Sequence, residues 1–251
     1  MHHFFVTPQD INKIDKEIKI VGEDVRHIQK SLRLKEGNKI TISDGMGSGF
    51  VTQIVDSGKE EVRVEIIEEI KSVENKDKTL TLFQGLAKGS KMDLIIQKAV
   101  ELGVNAIVPI ITEYSVVQLK EKDKHKKKER WQKIAEEAAK QCRRLIMPVV
   151  HTPINFNDAI AEWKEENSKH LHLIAYENET STSVKKIFSH TSVMEYDHIG
   201  VWIGPEGGFH QKEIVQAQSA GVISVGMGPR ILRTETAGIA MLSFVLYERE
   251  L

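Results

Sequence analysis

Two glycine-bearing stretches near the C-terminal end carry the residues whose types and spacing can do chemistry. Ile203-Gly204-Pro205-Glu206-Gly207-Gly208-Phe209 follows the apolar run Ile199-Gly200-Val201-Trp202-Ile203 and precedes a helical pattern that holds Ile214. Three glycines, a proline and a carboxylate between a strand and a helix let backbone approach a flat ligand closely, at the place where open α/β sheets bind ligands. Further on, Gly226-Met227-Gly228-Pro229-Arg230-Ile231-Leu232-Arg233-Thr234-Glu235-Thr236-Ala237 again lies between a strand, Val222 to Val225, and a helix. Two such loops point to one shared pocket. Neither contains the Gly-Lys-Ser/Thr of a phosphate loop, so ATP or GTP hydrolysis is unsupported. The residues suit a small, uncharged-to-cationic ligand that offers an adenine and a ribose to backbone amides and carbonyls.

Other candidates are weaker. Asp44-Gly45-Met46-Gly47-Ser48-Gly49 imitates an acidic, glycine-rich cofactor loop, but Phe50-Val51-Thr52-Gln53-Ile54-Val55 after it is strand-like, so a hairpin turn is expected. Cys142 beside Arg143 and Arg144 could be an activated thiolate, yet a buried helix-face cysteine is the plainer reading. His170 and His172 alternate on one strand face; without a third ligand they are expected on a solvated face, and no metal is predicted. Residues 120–144 hold eleven Lys or Arg against five Asp or Glu in a chain of net charge −1. Such a run is a solvated helix face or a phosphate-contacting surface.

The elements that must position these loops follow from hydrophobic periodicity. Residues 1–70 read as a small β-rich unit with strands at Lys39–Ser43, Phe50–Val55 and around Val62, Val64 and Ile66. One helix is expected over Glu23–Leu34, with Val25, Ile28 and Leu32 inward. Lys71 to Lys78 is polar and reads as a linker. Residues 79–251 alternate strands (Thr79–Phe83, Ala106–Ile111, Leu171–Tyr176, Ile199–Ile203, Val222–Val225) with helices. The helices are expected from Ser90, capped with Asp93 and stopped at Gly103, then over Trp131–Cys142, Ile214–Ala220 and Glu235–Glu248, the last with Thr234 as its N-cap. Trp131, Ile134, Ala135, Ala138 and Ala139 read as core or interface. The alternation implies an α/β fold with a mainly parallel sheet. At 251 residues, 40% hydrophobic, with one cysteine, no long apolar run and no secretory pattern at Met1-His2-His3, a disulfide scaffold and a membrane span are excluded and a cytoplasmic location is expected.

The paired loops resemble those of the ribosomal RNA small-subunit methyltransferase E family, which methylates N3 of a uridine in small-subunit rRNA. Gly89-Ser90-Lys91-Met92-Asp93-Leu94-Ile95-Ile96-Gln97-Lys98-Ala99-Val100-Glu101-Leu102-Gly103-Val104 and the segment Arg130 to Cys142 are similar as well, and the resemblance runs in order along nearly the whole chain. It implies a PUA-like β-barrel followed by a SPOUT-type α/β domain whose cofactor loops form a deep trefoil knot. It also implies S-adenosylmethionine as methyl donor, 16S rRNA or the small ribosomal subunit as partner, and a homodimer. Where family members carry an arginine close behind the initiator methionine, this sequence has His2 and His3.

The resemblance assigns Tyr176, Ile203, Gly204, Pro205, Gly208, Met227, Gly228, Ile231 and Leu232 to the cofactor. Removing the N3 proton spreads negative charge onto uracil O2 and O4, so the site needs cations or donors there and a group to orient them or accept the proton. Arg230 and Arg233 are the candidate cations, and Glu206 and Glu235 the candidate bases or orienters. Arg33, Lys88, Lys91, Lys126, Lys127 and Lys128 are the candidate phosphate contacts. Two other readings stay open from the residues alone. One is a non-catalytic rRNA-binding protein; the other, an NAD-linked enzyme, lacks its Gly-x-Gly-x-x-Gly unit.

Overall fold

The structure, a computed structural model, describes residues 1–72, 75–117, 119–164 and 169–250. The chain forms two compact units, one of Met1–Lys76 with Ala139–Met147, the other of Asp77–Ala138 with Pro148–Leu251. Within the linker read at Lys71–Lys78, Val73 and Glu74 lie outside the described residues.

The first unit contains β1 (His3–Phe5), β2 (Ile11–Asn12), β3 (Glu17–Val21), α1 (Glu23–Arg26), β4 (Lys39–Ser43), β5 (Gly49–Ser57) and β6 (Glu61–Ile70). They form a six-stranded sheet in the order β1-β4-β5-β6-β3-β2, antiparallel except for the β1–β4 pair. Period-two alternation sends Ile18 and Ile20, Ile40 and Ile42, and Val62 and Val64 to one side, where they meet Phe4, Phe50 and Ile54 in a single buried core. Two register shifts between β5 and β6 bend the sheet around that core. The Asp44 loop is the expected hairpin turn: Asp44 Oδ1 accepts from the amides of Met46 (2.7 Å) and Ser48 (2.9 Å). Ala139–Met147 completes this unit, with Ser43 Oγ donating to the carbonyl of Leu145 (2.7 Å) and Lys140 Nζ pairing with Asp24 Oδ1 (3.0 Å).

The helix expected over Glu23–Leu34 is shorter. After α1 the turns widen over His27–Ser31, with the amide of Leu32 bonding the carbonyl of His27, and Arg33 takes φ +54°, which ends the helical run.

The second unit contains β7 (Thr79–Gly85), α2 (Lys91–Glu101), β8 (Ala106–Ile111), α3 (Glu121–Cys142, through Ala138), β9 (Val149–Val150), β10 (Ile154–Asn155), α4 (Phe156–Lys164), β11 (His170–Ala175), α5 (Val184–His190), β12 (His198–Ile203), α6 (Gln211–Ser219), β13 (Ile223–Val225) and α7 (Thr234–Glu250). The sheet order is β10-β8-β7-β12-β11-β13, with β9 also on β8, and every pairing is parallel. Near-continuous apolar runs such as Ile199 to Ile203 suit strands covered on both faces. Trp202 is fully buried and stacks on Phe83 with ring centroids 3.9 Å apart.

Four local expectations are corrected. Helix α3 starts at Glu121, so the lysine run lies on its first turns and only the half from Trp131 shows apolar spacing. Ser90 precedes α2 but makes no side-chain cap, its backbone (φ −85°, ψ 1°) lying outside the extended region an N-cap uses, and Asp93 pairs with Arg130 on α3 instead of reaching back to it. Thr234 opens α7 with its hydroxyl turned to another loop, as described below. His172 is not solvated: it is 3% exposed, its Nδ1 accepts from Trp202 Nε1 (2.9 Å), and its ring stacks with that of His198 at 5.6 Å. The ring fits because β12 carries Gly200 opposite it, where any Cβ would overlap the imidazole. Burial, aided by the nearby histidines, pushes His172 far below the ordinary histidine range and His198 down to about 4.

Cys142 is half-buried, with Sγ directed to the carbonyl of Ala139 (3.7 Å). Trp131, Ala135, Ala138 and Ala139 are buried and Ile134 is half-buried. Among the described residues no group of three or more His, Cys, Asp or Glu is placed to hold a metal ion, and no helix is long and apolar enough to cross a membrane.

Candidate cofactor pocket and active site

Three adjacent strands, β12, β11 and β13, end on the same side of the sheet, and the segments that leave them enclose a cavity of about 550 Å³. The first glycine loop folds back on itself: a Cβ on Gly204 would stand 2.8 Å from the carbonyl carbon of Gly208, and the amide of Gly208 (φ +69°) bonds the carbonyl of Pro205 at 3.0 Å. A buried clamp holds its start. Thr234 Oγ1 donates to the carbonyl of Gly204 at 2.6 Å, and Gln84 Nε2 donates to Thr234 Oγ1 at 2.9 Å. The second loop is pinned where the amide of Gly226 bonds the carbonyl of Thr182 at 2.8 Å; Gly226 runs so close to Glu179 that a Cβ would overlap its carbonyl oxygen.

All the residues expected at the cofactor come together. Ile203, Gly204, Pro205 and Gly208 from the first loop, Met227, Gly228, Ile231 and Leu232 from the second, and Tyr176 at the end of β11 line the cavity. Tyr176 is fixed by its hydroxyl, which donates to Gln211 Oε1 at 2.6 Å. Ile231 is 88% exposed and marks the mouth. Sequence reasoning missed Glu177 in the lining, and Lys91 as part of it. It also missed Gln84, for which the one signal was a glutamine inside the apolar run Thr79 to Gly85.

The charged candidates separate into two sets. Arg230 and Arg233 line the cavity, are exposed, and carry no ion pair among the described residues. The glutamates turn to Lys91 instead. Glu206 Oε1 accepts from Lys91 Nζ (2.8 Å) and from the amide of Lys88 (3.1 Å), and Glu235 Oε2 lies 3.9 Å from the same Nζ. Burial alone would raise Glu206, but the hydrogen bonds from Lys91, its own amide and Lys88, with the charge of Lys91, hold it below its ordinary value. Glu235 does not line the cavity, and its Oε2 is buried without a hydrogen-bond donor among the described residues.

Of the phosphate candidates, Arg33 in the first unit is exposed, as are Lys88 and Lys126. Lys127 and Lys128 are half-buried, with Lys127 Nζ 5.9 Å from the centroid of the Trp131 ring. Lys91 is placed in the cavity wall and its ion pairs.

Residues 74–246 match the model of an RNA methyltransferase domain, and residues 20–67 that of an RNA methyltransferase PUA domain. The ribosomal RNA small subunit methyltransferase E of Bacillus subtilis (strain 168) is 33% identical over 257 residues, covering 100% of this chain and 98% of that protein. That of Aquifex aeolicus (strain VF5) is 35% identical over 201 residues, covering 80% and 82%. A crystal structure of the ribosomal RNA small subunit methyltransferase E from Neisseria gonorrhoeae bound to S-adenosyl methionine superposes with a TM-score of 0.83 at 30% identity, covering 97% of this chain and 95% of that one. On two matched domains and a relative 33% identical over its full length, the chain belongs to the ribosomal RNA small subunit methyltransferase E family.

Proposed function

We propose that the protein methylates small-subunit (16S) ribosomal RNA with S-adenosylmethionine, at N3 of a uridine. The observation that carries this reading is the convergence of all nine cofactor candidates on one cavity with two arginines in its wall. The cavity fits the cofactor in kind: bare glycine backbone for a flat adenine, apolar cover from Ile203, Met227 and Leu232, and space for a molecule of that size. When bound, S-adenosylmethionine supplies the methyl group as an electrophilic sulfonium substituent.

The chain's own residues do the rest. The Gln84–Thr234–Gly204 clamp and the Lys91–Glu206 pair fix the first loop, so the cofactor meets a preformed wall. Arg233, with Arg230, stabilises the charge that appears on uracil O2 and O4 as the N3 proton leaves. Glu206 and Glu235 position Lys91 and not the arginines: both carboxylates face Lys91, and Glu206, held below its ordinary pKa, is a poor base. The first unit, residues 1–70 completed by Ala139–Met147, is read as the RNA-binding domain, and the remainder of 79–251 as the methyltransferase domain, knotted at its cofactor loops. Arg33, Lys88 and Lys126 to Lys128 supply phosphate contacts.

A homodimer in the cytoplasm completes the reading. Its support is the pair of packed helices α2 and α7, which leave Leu94 (41% exposed), Phe244 (43%) and Tyr247 (65%) uncovered. The deciding experiment combines calorimetric titration with S-adenosylmethionine and mass spectrometry of rRNA from a deletion strain. A single methyl lost from one uridine, restored by the gene, is expected. Cofactor binding without any change in rRNA would remove the activity.

A further inference from the structure

We propose that Tyr114 and His210 form a stacking surface for a nucleobase of the RNA substrate at the lip of the cofactor loop, an inference that rests on the methyltransferase reading above. Tyr114 lies in the turn that leaves β8 and His210 ends the loop that leaves β12, so both stand on the side of the sheet that carries the cavity. Their ring centroids are 5.5 Å apart at 59°; Tyr114 is 45% exposed and His210 half-buried. Tyr114 leans on bare backbone, since a Cβ on Gly207 would stand 2.9 Å from its own Cβ, and Gly207 is part of the cavity wall.

The support beneath the two rings is buried and specific. Glu213, 8% exposed, accepts from the amide of Glu113 with Oε1 (2.9 Å) and from the amide of His210 with Oε2 (2.8 Å). One carboxylate thus fixes both ring-bearing segments. The turn is closed by the amide of Thr112 bonding Ser115 Oγ at 2.9 Å and the amide of Ser115 bonding the carbonyl of Thr112 at 3.0 Å. Burying a carboxylate is unfavourable unless its oxygens are satisfied. Here that arrangement holds in place a tyrosine with nearly half of its surface open to solvent, which core packing does not require.

The chemistry of the surface suits a base. His210 Nδ1 accepts from the amide of Lys212 at 3.0 Å, so the ring proton resides on Nε2, a donor for a base-edge oxygen. Lys212 is exposed and brings a cation for an adjoining phosphate. Methylation of a ring nitrogen requires the target base out of its stack, and unstacked bases are held on aromatic faces.

The test compares wild type with Tyr114→Phe, Tyr114→Leu and Tyr114→Ala, using small ribosomal subunits as substrate and calorimetry with S-adenosylmethionine. Leu and Ala are expected to raise KM for the subunit roughly tenfold, the size of one missing base–aromatic stack. Phe should behave as wild type, and cofactor affinity should stay constant across the series. If Leu matches Phe, the π face is irrelevant and the inference fails; it fails too if the loss appears in cofactor affinity. A wild-type protein that binds cofactor but transfers no methyl to the subunit would instead overturn the reading on which this one rests.

Discussion

Thr234 Oγ1 donates to the carbonyl of Gly204 at 2.6 Å, tying the first residue of α7 to the first residue of the glycine loop across thirty positions of sequence. Both residues are buried, and Gln84, fully buried in β7, donates to the same hydroxyl. Replacing Thr234 by Val removes the donor and leaves a buried carbonyl unpaired, at a cost of about 1–3 kcal/mol. Weaker cofactor binding and a lower denaturation midpoint are expected, with Ser at 234 restoring most of both. A Val variant that binds as wild type would show the clamp to be dispensable.

Gly204 itself has no room for a side chain. Gly204→Ala places a methyl 2.8 Å from the backbone of Gly208, so the loop must open where the cofactor is expected to lie. Calorimetry should show binding lost while far-ultraviolet circular dichroism is unchanged.

Arg233→Ala is expected to slow single-turnover methylation by about 10²–10³-fold with little change in cofactor affinity, because a donor aimed at developing charge acts in the transition state. Lysine should rescue only in part, having lost the planar fork. The wild-type rate should rise with pH if N3 deprotonation limits it. Since both glutamates face Lys91, Glu206→Gln and Glu235→Gln should keep that rise; a flattened profile in either variant would identify it as the base.

Acid should destabilise the fold over a defined window. His3 and His198 are lowered from 6.5 to about 4, chiefly by burial, and His172 falls further. The unfolded chain takes up these protons near pH 6.5 and the native chain does not, so stability is full above 6.5 and declines as pH falls toward 4. Urea midpoints measured from pH 7 to pH 4.5 should drop steadily. A His172→Asn variant should be weaker throughout but less steep in its decline.

Neutralising Lys126, Lys127 and Lys128 together should weaken RNA binding and shallow its salt dependence by about one unit of slope for each phosphate ion pair removed. Lys126 is the most exposed of the three and should contribute most. An unchanged affinity and slope would leave the run as a solvated helix face.

Much of the pocket was legible because its signal is local. Glycines between a strand and a helix mark the two loops within a few residues of sequence, while the nine cofactor candidates, Tyr176 among them, came from the family resemblance; all nine line one cavity. Strands of alternating or continuous apolar character were equally plain. What stayed hidden depends on partners distant in sequence. The burial of His172 requires Gly200 on the neighbouring strand, Asp93 is taken from the capping box by Arg130 on α3, and the pairing of both glutamates with Lys91 requires α2 to meet two loops. The early end of the first helix at Arg33 had no glycine or proline to announce it.

The Ala139–Met147 segment has a consequence for how the protein is made. The carbonyl of Leu145 accepts from Ser43 Oγ and from the amide of Gly47, and the amide of Met147 bonds the carbonyl of Gly45. A nascent chain that has emerged only to residue 76 therefore holds an incomplete N-terminal unit, and the ribosome must add some seventy residues before its last hydrogen bonds close. The core of the first unit, Phe4 to Ile66, can form as it emerges, but its edge closes only after much of the second unit has been made. Gene fusions or truncations cut at residue 70 inherit the same unfinished edge.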